Sequence, residues 1–397
     1  MNSQEYLDIM KGIQESILNF LEDEANSEEN FLILENKFKD IKISENRYEL
    51  LSLLHLILKI SNNHYRFPNF FSKIERILLK FKKDITKYFS NFEIFNIFKS
   101  NKRLLLFLSE QKIIIFDSNI TKKVISSSKF REAKYHLYFQ PEIRPFINER
   151  LLSKYECLED LTEDLPANFH ENRKKGENEN QICELIRNDK IIEFDAYVKQ
   201  NDISLNMTIQ PSIYETNLFL IKNQSKFHNI QKSEENENET EICGLSLIEY
   251  AAFFGSIQIF NHLRLGGVEM KSSLWSLAIH GKSAEIIHLL EDNNIDSEFE
   301  SHEKYFYESV KCHHNDIANY FLKKSPQDDF ENSQNTFNQC AKYYNFAFMK
   351  NEFINQSSFC SLCKNDYCTL VDYLLKSKDI DINRKEILRF MRFYLIS

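Results

Sequence analysis

Glycine and proline are scarce in this chain: 7 Gly and 6 Pro among 397 residues, where an average protein devotes roughly 12% of its length to the pair. Sandwiches, barrels and propellers need a turn every ~8–12 residues and use these two residues to make them, so the shortage argues against all three. Collagen-like and Gly/Ser-linker architectures are excluded on the same ground. The glycines, at 12, 176, 244, 255, 266, 267 and 281, form neither G-x-G-x-x-G nor G-x-x-x-x-G-K, so no phosphate-cradling loop of either type is present. The eight cysteines are scattered, with no paired spacing that would suggest a secreted disulfide framework. The opening Met1-Asn2-Ser3-Gln4-Glu5 lacks the basic and apolar regions of a signal peptide. Apolar runs such as Leu104–Leu108 and Ile113–Phe116 are far too short for a bilayer. These absences lead us to expect an intracellular, cytoplasmic protein with no membrane span.

What the chain does contain is helix-forming and core-forming material. Apolar residues make up 42% and aromatics 13%, with 34 Phe and 18 Tyr. The net charge of −9 argues against bulk binding to nucleic acid or to an anionic membrane. With Leu, Ile, Lys, Glu, Asn and Phe so frequent, the expected fold class is all-α.

Residues 1–165 are expected to form a helical N-terminal domain. Ile9, Ile13, Ile17, Phe20 and Leu21 recur at three- and four-residue steps, one apolar stripe of an amphipathic helix. Leu50–Leu58 is too dense in leucine for a surface helix and is expected at the centre of the core. A further helix is expected from Phe70 to Phe89, with Ile74, Ile77, Leu78, Phe81 and Ile85 in register. Ser90-Asn91 should cap a short helix running to Phe98. Ile113–Phe116 has strand-like composition but no hairpin partner, which favours helix. Three polar stretches, 168–180, 231–241 and 326–335, are expected to be loops, the second disordered for want of apolar surface to bury.

Self-comparison of residues 181–383 shows a repeat. Ser246–Gly255 (SLIEYAAFFG) is followed by Ile257, Ile259, Phe260 and Leu263, then Gly266-Gly267-Val268. Ser272–Gly281 (SSLWSLAIHG) is followed by Ile286, Ile287, Leu289 and Leu290, then Asn294-Ile295-Asp296. Weaker copies run from Cys312-His313-His314-Asn315 into Ile317, Ala318, Phe321 and Leu322, and from Cys340-Ala341 into Phe346 and Phe348. A last copy runs through Leu370–Leu375 to Asp379–Asn383. Each is a short helix with small residues on one face, a turn, a second apolar helix and a polar turn. Where Gly is missing, Asn188-Asp189, His313-His314 and Asn365-Asp366 stand at the turn, short polar side chains that tolerate left-handed backbone.

The pattern resembles ankyrin repeats, whose motif runs T-P-L-H-x-A-A-x-x-G-H, L-x-I-V-x-L-L-L, G-A-D-V-N. Ser246, Ile248, Ala251, Ala252 and Gly255 match the first helix and its turn, Ile259, Phe260 and Leu263 the second helix, and Gly267 and Val268 the closing turn. Ser357, Phe359, Leu370, Val371, Leu374, Leu375, Asp381 and Asn383 match in the last unit. The motif Pro is absent throughout, and Glu249 and Trp275 replace the motif His. Segments 244–262, 274–290 and 308–322 are similar to a divergent ankyrin-type family expanded in parasitic protists. Segments 46–117 and 139–185 resemble the helical region that accompanies it there. The resemblance implies an ankyrin-like helix–turn–helix solenoid of about five units over 181–383, with a half-repeat or capping helix at 384–397. It also implies a non-enzymatic module or scaffold that binds another protein through a concave surface. Lys271, Trp275 and Asn294 are the candidate partner-binding residues, Trp275 because the only Trp stands at the motif His and Trp is frequent at binding hot spots, with packing against the neighbouring unit as its equal alternative.

Other chemistry is weighed against structural use. Cys360-x-x-Cys363-x4-Cys368, with Cys312, His313 and His314, has zinc-ligand residue types. The repeat, however, puts Cys363 at a paired-alanine position and Cys368 at the start of a second helix, so no metal is expected. His280 and His313-His314 fall at repeat turns, Glu159-Asp160 and Glu163-Asp164 in polar surroundings, and no nucleophile motif is present. Lys73, Arg76, Lys80, Lys82, Lys83 and Lys87 are expected to be the wet face of a helix rather than a nucleic-acid contact. Arg384, Lys385, Arg389 and Arg392, alternating with apolar residues, fit an unfinished repeat better than a membrane-surface helix. The expectation is no catalytic residue, no cofactor and no small-molecule substrate. The alternative is a divergent enzyme in the N-terminal region, which would require a deep cleft gathering His55, His64 or His136 with carboxylates.

Overall fold

The computed structural model describes residues 2–23, 25, 28–67, 69–158, 161, 164–225, 244–295, 301–324 and 330–377. The expected disordered segment 231–241, the Asp379–Asn383 end of the last repeat, the basic segment 384–397, Glu159-Asp160 and Glu163 lie outside these residues. The fold is all-α. The only strands among the described residues are β1 (Thr208–Ile209) and β2 (Leu245–Ser246), an antiparallel pair with Thr208 opposite Ser246. No helix among them is long and apolar enough to cross a membrane. The chain forms two compact units, one of Met1–Asp84 with Ser297–Ser397, the other of Ile85–Asp296. The helical region ahead of the repeats therefore divides between them.

In the first unit, α1 (Ser3–Glu22) begins at Asn2, whose side chain accepts the Glu5 amide while Glu5 reaches back to the Asn2 amide. Its stripe of Ile13, Ile17, Phe20 and Leu21 is buried, packed on α2 (Glu28–Asp40) and α4 (Phe70–Lys80). Helix α3 (Arg47–Asn63) buries Leu50, Leu53, Leu54, Leu56 and Ile57 completely, each such side chain contributing about 1.5–3 kcal/mol. The helix expected from Phe70 to Phe89 breaks at Phe81, giving α4 and α5 (Lys82–Tyr88). Phe81 leaves helical geometry (φ −98°, ψ 9°), and both it and Ile85 remain buried.

The second unit opens with α6 (Asn91–Phe98), capped by Ser90 as expected, then α7 (Lys102–Glu110) and α8 (Ser118–Ser126). Ile113–Phe116 is neither helix nor strand. After α7 the chain turns through Lys112 (φ 56°), and the Asn91 side chain supplies the missing strand partner. It donates to the Ile115 carbonyl (2.6 Å) and accepts the Ile115 amide (2.7 Å). The polar stretch 168–180, expected as loop, holds a helix at Phe169–Lys175. Phe169 and Arg173 from it are buried, and Arg173 forms a two-pronged ion pair with Glu142 (2.7 and 3.0 Å).

Six helical hairpins follow, each named here by its two helices: one, Gln181–Arg187 and Ile191–Gln200; two, Leu247–Phe254 and Ile257–Leu265; three, Leu274–His280 and Ala284–Asp292. Hairpin four pairs Ser301–Cys312 with Asn315–Lys324, five pairs Gln334–Tyr343 with a short 3-10 turn at Phe346–Phe348, and six pairs Phe359–Lys364 with Cys368–Ser377. The reversal inside each has one geometry. A left-handed residue stands at Asp189, Gly255, Lys282, His313, Tyr344 and Asp366 (φ 48° to 66°). The amide that follows it bonds the carbonyl five residues back: Lys190 to Leu185, Ser256 to Ala251, Ser283 to Ala278, His314 to Ser309, Asn345 to Cys340 and Tyr367 to Leu362. This is the Schellman closure of a helix C-terminus. The expected left-handed turns at Asp189, His313 and Asp366 are there. Gly281 is not left-handed (φ −71°); its successor Lys282 is.

In the second unit hairpins one, two and three stack in order, first helix on first helix, and the second helices of one and two also meet. Hairpins two and three touch at their turns. A Cβ on Gly281 would overlap the Ala252 carbonyl oxygen and come within 2.9 Å of the Gly255 amide nitrogen. A Cβ on Gly267, left-handed at φ 86°, would meet nothing within 4 Å. Gly281→Ala should therefore cost about 3 kcal/mol through overpacking, and Gly267→Ala only about 1 kcal/mol from left-handed strain. Urea titration of both variants checks this, and equal losses would refute close turn stacking.

Candidate functional site

Trp275 opens the first helix of hairpin three, and its indole is 4% exposed. Its Nε1 donates to the Ile295 carbonyl at 2.7 Å, while the Ile295 amide closes the end of the same hairpin on the Leu290 carbonyl (3.0 Å). The proposed surface role for Trp275 is corrected: the indole ties the hairpin's start to its closing turn. Lys271 and Asn294 flank it and remain at the surface. Lys271 Nζ lies 4.0 Å from Glu269, and Asn294 is left-handed (φ 50°). Leu265, at the preceding turn, is 77% exposed.

Glu249, the other motif-His replacement, links neighbouring hairpins. One oxygen accepts the Ser246 amide and hydroxyl (2.9 and 3.0 Å), and the other accepts the Ser273 hydroxyl of hairpin three (2.7 Å). Asp189 acts similarly between hairpins one and two, accepting the Gln258 and Ile259 amides (both 3.0 Å) at the start of a helix. Sequence reasoning missed both links. The Ser246-x-x-Glu249 capping box was a signal for the first.

The second unit also holds buried charge. Lys102, at the start of α7, is buried; its Nζ donates to the carbonyls of Ala133 (3.2 Å) and Ile213 (3.0 Å) and lies 5.0 Å from the Tyr138 ring centre. Burial pulls its pKa down to about 7, against the opposing pull of Glu215. Glu215 is itself buried and accepts the Asn217 amide (2.7 Å). Arg187 donates to the Tyr250 hydroxyl (2.9 Å) and pairs with Glu177 (3.1 Å). Cys183 beside them is held protonated, its pKa pushed up by burial to about 12. His136 is buried here, in a short helix between Tyr135 and Tyr138.

In the first unit the basic cluster is engaged within the fold. Lys73 donates to the Leu21 and Asp23 carbonyls, Arg76 pairs with Glu28 (2.5 Å) and lies over Phe31, and Lys80 pairs with Glu35 (2.7 Å). His55 and His64, both on or at the end of α3, each meet a carboxylate: His55 lies 3.2 Å from Asp366 and His64 3.2 Å from Glu22. Neither lines a cavity of about 140 Å³ in the same unit that is formed by Tyr6, Ile9, Met10, Asp40, Ile41, Ile43 and Glu49. The histidines pack against hairpin turns instead. Cys360, Cys363 and Cys368 surround the turn of hairpin six. Their sulfurs do not converge with one another, or with His313 and His314, at distances that would share one ion among the described residues. Burial raises the Cys363 thiol to about 11, which works against thiolate ligation.

Lys102 yields a pH prediction. Because the folded chain binds this proton less tightly than the unfolded chain, stability through Lys102 rises as pH climbs from about 7 towards 10.5 and is flat below 7. Buried Cys183 opposes this above ~9, the range where a solvated thiol begins to ionise. Wild type should gain up to ~1.4 kcal/mol per pH unit between about 7 and 9, and Lys102→Met should lose that gain. Parallel pH profiles in urea titrations would refute it.

Comparison of the chain with protein-family models, with curated proteins and with solved structures returned no match.

Proposed function

We propose that this protein is a non-enzymatic interaction module that binds another protein on an ankyrin-like solenoid of stacked hairpins. The observation that carries the proposal is the six-fold recurrence of one hairpin turn, closed by the same amide-to-carbonyl bond each time. Such repeats bury apolar surface only against their neighbours, and their stacks present extended surfaces suited to binding. The binding face is assigned to the loop between hairpins two and three and to the closing turn of hairpin three. Exposed Leu265, Gly266-Gly267, Glu269, Lys271 and Asn294 offer an apolar anchor within a polar rim there. Trp275 and Glu249 hold that loop from beneath. The assignment rests on exposure and on the hydrogen bonds from Trp275 and Glu249 that tie the loop down.

The test is affinity purification of the full chain with mass spectrometry, followed by Leu265→Asp and Lys271→Glu. Each should weaken binding of a stoichiometric partner about tenfold, or ~1.4 kcal/mol, without changing the melting temperature. Variants that keep the partner would exclude this face, and the absence of any stoichiometric partner would count against the module itself.

A further inference from the structure

The apolar stripe of α1 begins at Ile9, and Ile9 alone of its residues is only half-buried; Ile13, Ile17, Phe20 and Leu21 are covered. The cause is the short link between the two helices that flank it. Helix α2 ends at Asp40, and the chain turns at once through left-handed Lys42 (φ 51°) into one 3-10 turn, Ile43–Glu45, before Asn46 caps α3. So short a link carries Ile41 and Ile43 towards α1 and sets no larger side chain over Ile9. The Tyr6 ring is held at one side by its hydroxyl, which donates to Ser52 Oγ of α3 (2.8 Å). What remains between them is the cavity of about 140 Å³.

Its walls are of two kinds. Tyr6, Met10 and Ile43 are buried and form an apolar floor. Asp40 is exposed and Glu49, in the first turn of α3, is half-buried, so these two carboxylates mark the open side. Among the described residues, neither has a Lys, Arg or His at ion-pair distance. The cation of the link itself, Lys42, pairs instead with Glu45 (3.8 Å). Burial raises the Glu49 carboxyl above its ordinary value, against the opposing pull of the Asn46 side chain and the terminal amino group.

An apolar cavity of about 150 Å³ holds one benzene-sized molecule, so this space suits a small ligand rather than a peptide. A ring lying on the floor meets the Tyr6 ring and the Met10 thioether, both favourable neighbours for an aromatic edge or face. A purely hydrocarbon ligand leaves the carboxylates at the rim without a counter-charge, and an anionic one is repelled by them. We propose that this cavity binds a small organic ammonium ion, its apolar body on Tyr6, Met10 and Ile43 and its N–H groups turned to Glu49 and Asp40. Ligand sites of this kind pair a mostly apolar wall with a few polar groups that fix orientation. The bound ion bridges α1, the end of α2 and the start of α3. The site lies within the first unit and is independent of any protein bound by hairpins two and three.

The test titrates benzylammonium into the full chain labelled with 13C-methyl methionine. The Met10 signal should shift and saturate, since no other methionine lines the cavity. Benzyl alcohol, of the same shape without the charge, should bind about tenfold more weakly, and benzoate should leave the signal unmoved. Glu49→Gln should bring benzylammonium down to the level of the alcohol and leave the alcohol unchanged. Ile9→Phe, which fills the cavity from its half-buried wall, should remove both. A Met10 signal that does not move, equal affinity for ammonium and alcohol, or full benzylammonium binding by Glu49→Gln overturns the proposal. Should Ile9→Phe not fold, the wild-type Met10 signal and the comparison with benzyl alcohol decide.

Discussion

Each hairpin turns on a single bond, from the amide after the left-handed residue to the carbonyl five positions earlier. A helix leaves its last carbonyls without partners, and burying them unpaired would cost more than most single contacts return. The bond removes one of these orphans and starts the second helix on the next residue. With the backbone satisfied internally, the left-handed side chain is free to serve the next hairpin. Asp189 caps a helix in hairpin two, His313 lies at hydrogen-bond distance from the Tyr344 carbonyl, and the Tyr344 hydroxyl donates to the Asn365 carbonyl. Between hairpins two and three the same economy runs in reverse. Gly255 and Gly281 carry no side chain because the two turns touch through their backbones.

The turns differ in what lies over them. Those of hairpins one to three carry exposed Asn188, Lys190, Gln258, Ala284 and Glu285 around a buried Ser256 and Gly281. Those of hairpins four to six carry His313, His314, Tyr344, Asn345 and Tyr367, all buried, with Gln14 of α1 and His55 and His64 of α3 against them. Gln14 donates to the Asn345 side chain (2.9 Å) and accepts the Phe346 amide (2.6 Å). The turn itself needs only positive φ. Aromatic residues at such positions, where a short polar side chain or glycine would do, answer to the covering helices.

That difference marks what the sequence disclosed. The helical class, the α3 core, the Ser90 cap and the left-handed turns at Asp189, His313 and Asp366 all follow from local chemistry: leucine density, a capping side chain, and short polar residues that accept positive φ. Lys282 and Tyr344 escaped because nothing about either residue type favours that conformation. The break at Phe81 and the helix at 169–175 escaped for another reason. In both, a tertiary partner decides a local choice: core burial on either side of Phe81, and Glu142 for Arg173. The site residues divide likewise. Trp275 stood out by rarity, but rarity does not separate a hot spot from a buried staple, and the Ile295 carbonyl that decides it is twenty positions away. Glu249 was visible as a departure from the motif, yet its second partner, Ser273, belongs to the next hairpin.

The first unit is built from the two ends of the described chain, with residues 85–296 between them. On a ribosome adding ~5–20 residues per second, that interval takes roughly 10–40 s. During it α1 and α3 already have α2 and α4 beside them, but the hairpin turns they later meet are not yet synthesised. Gln14 meets Asn345, 331 positions on, only when almost the whole described chain has emerged, whereas the second unit has all its residues long before. The newborn protein thus spends much of its synthesis with the faces of α1 and α3 that carry Gln14, His55 and His64 still waiting for the turns that will cover them.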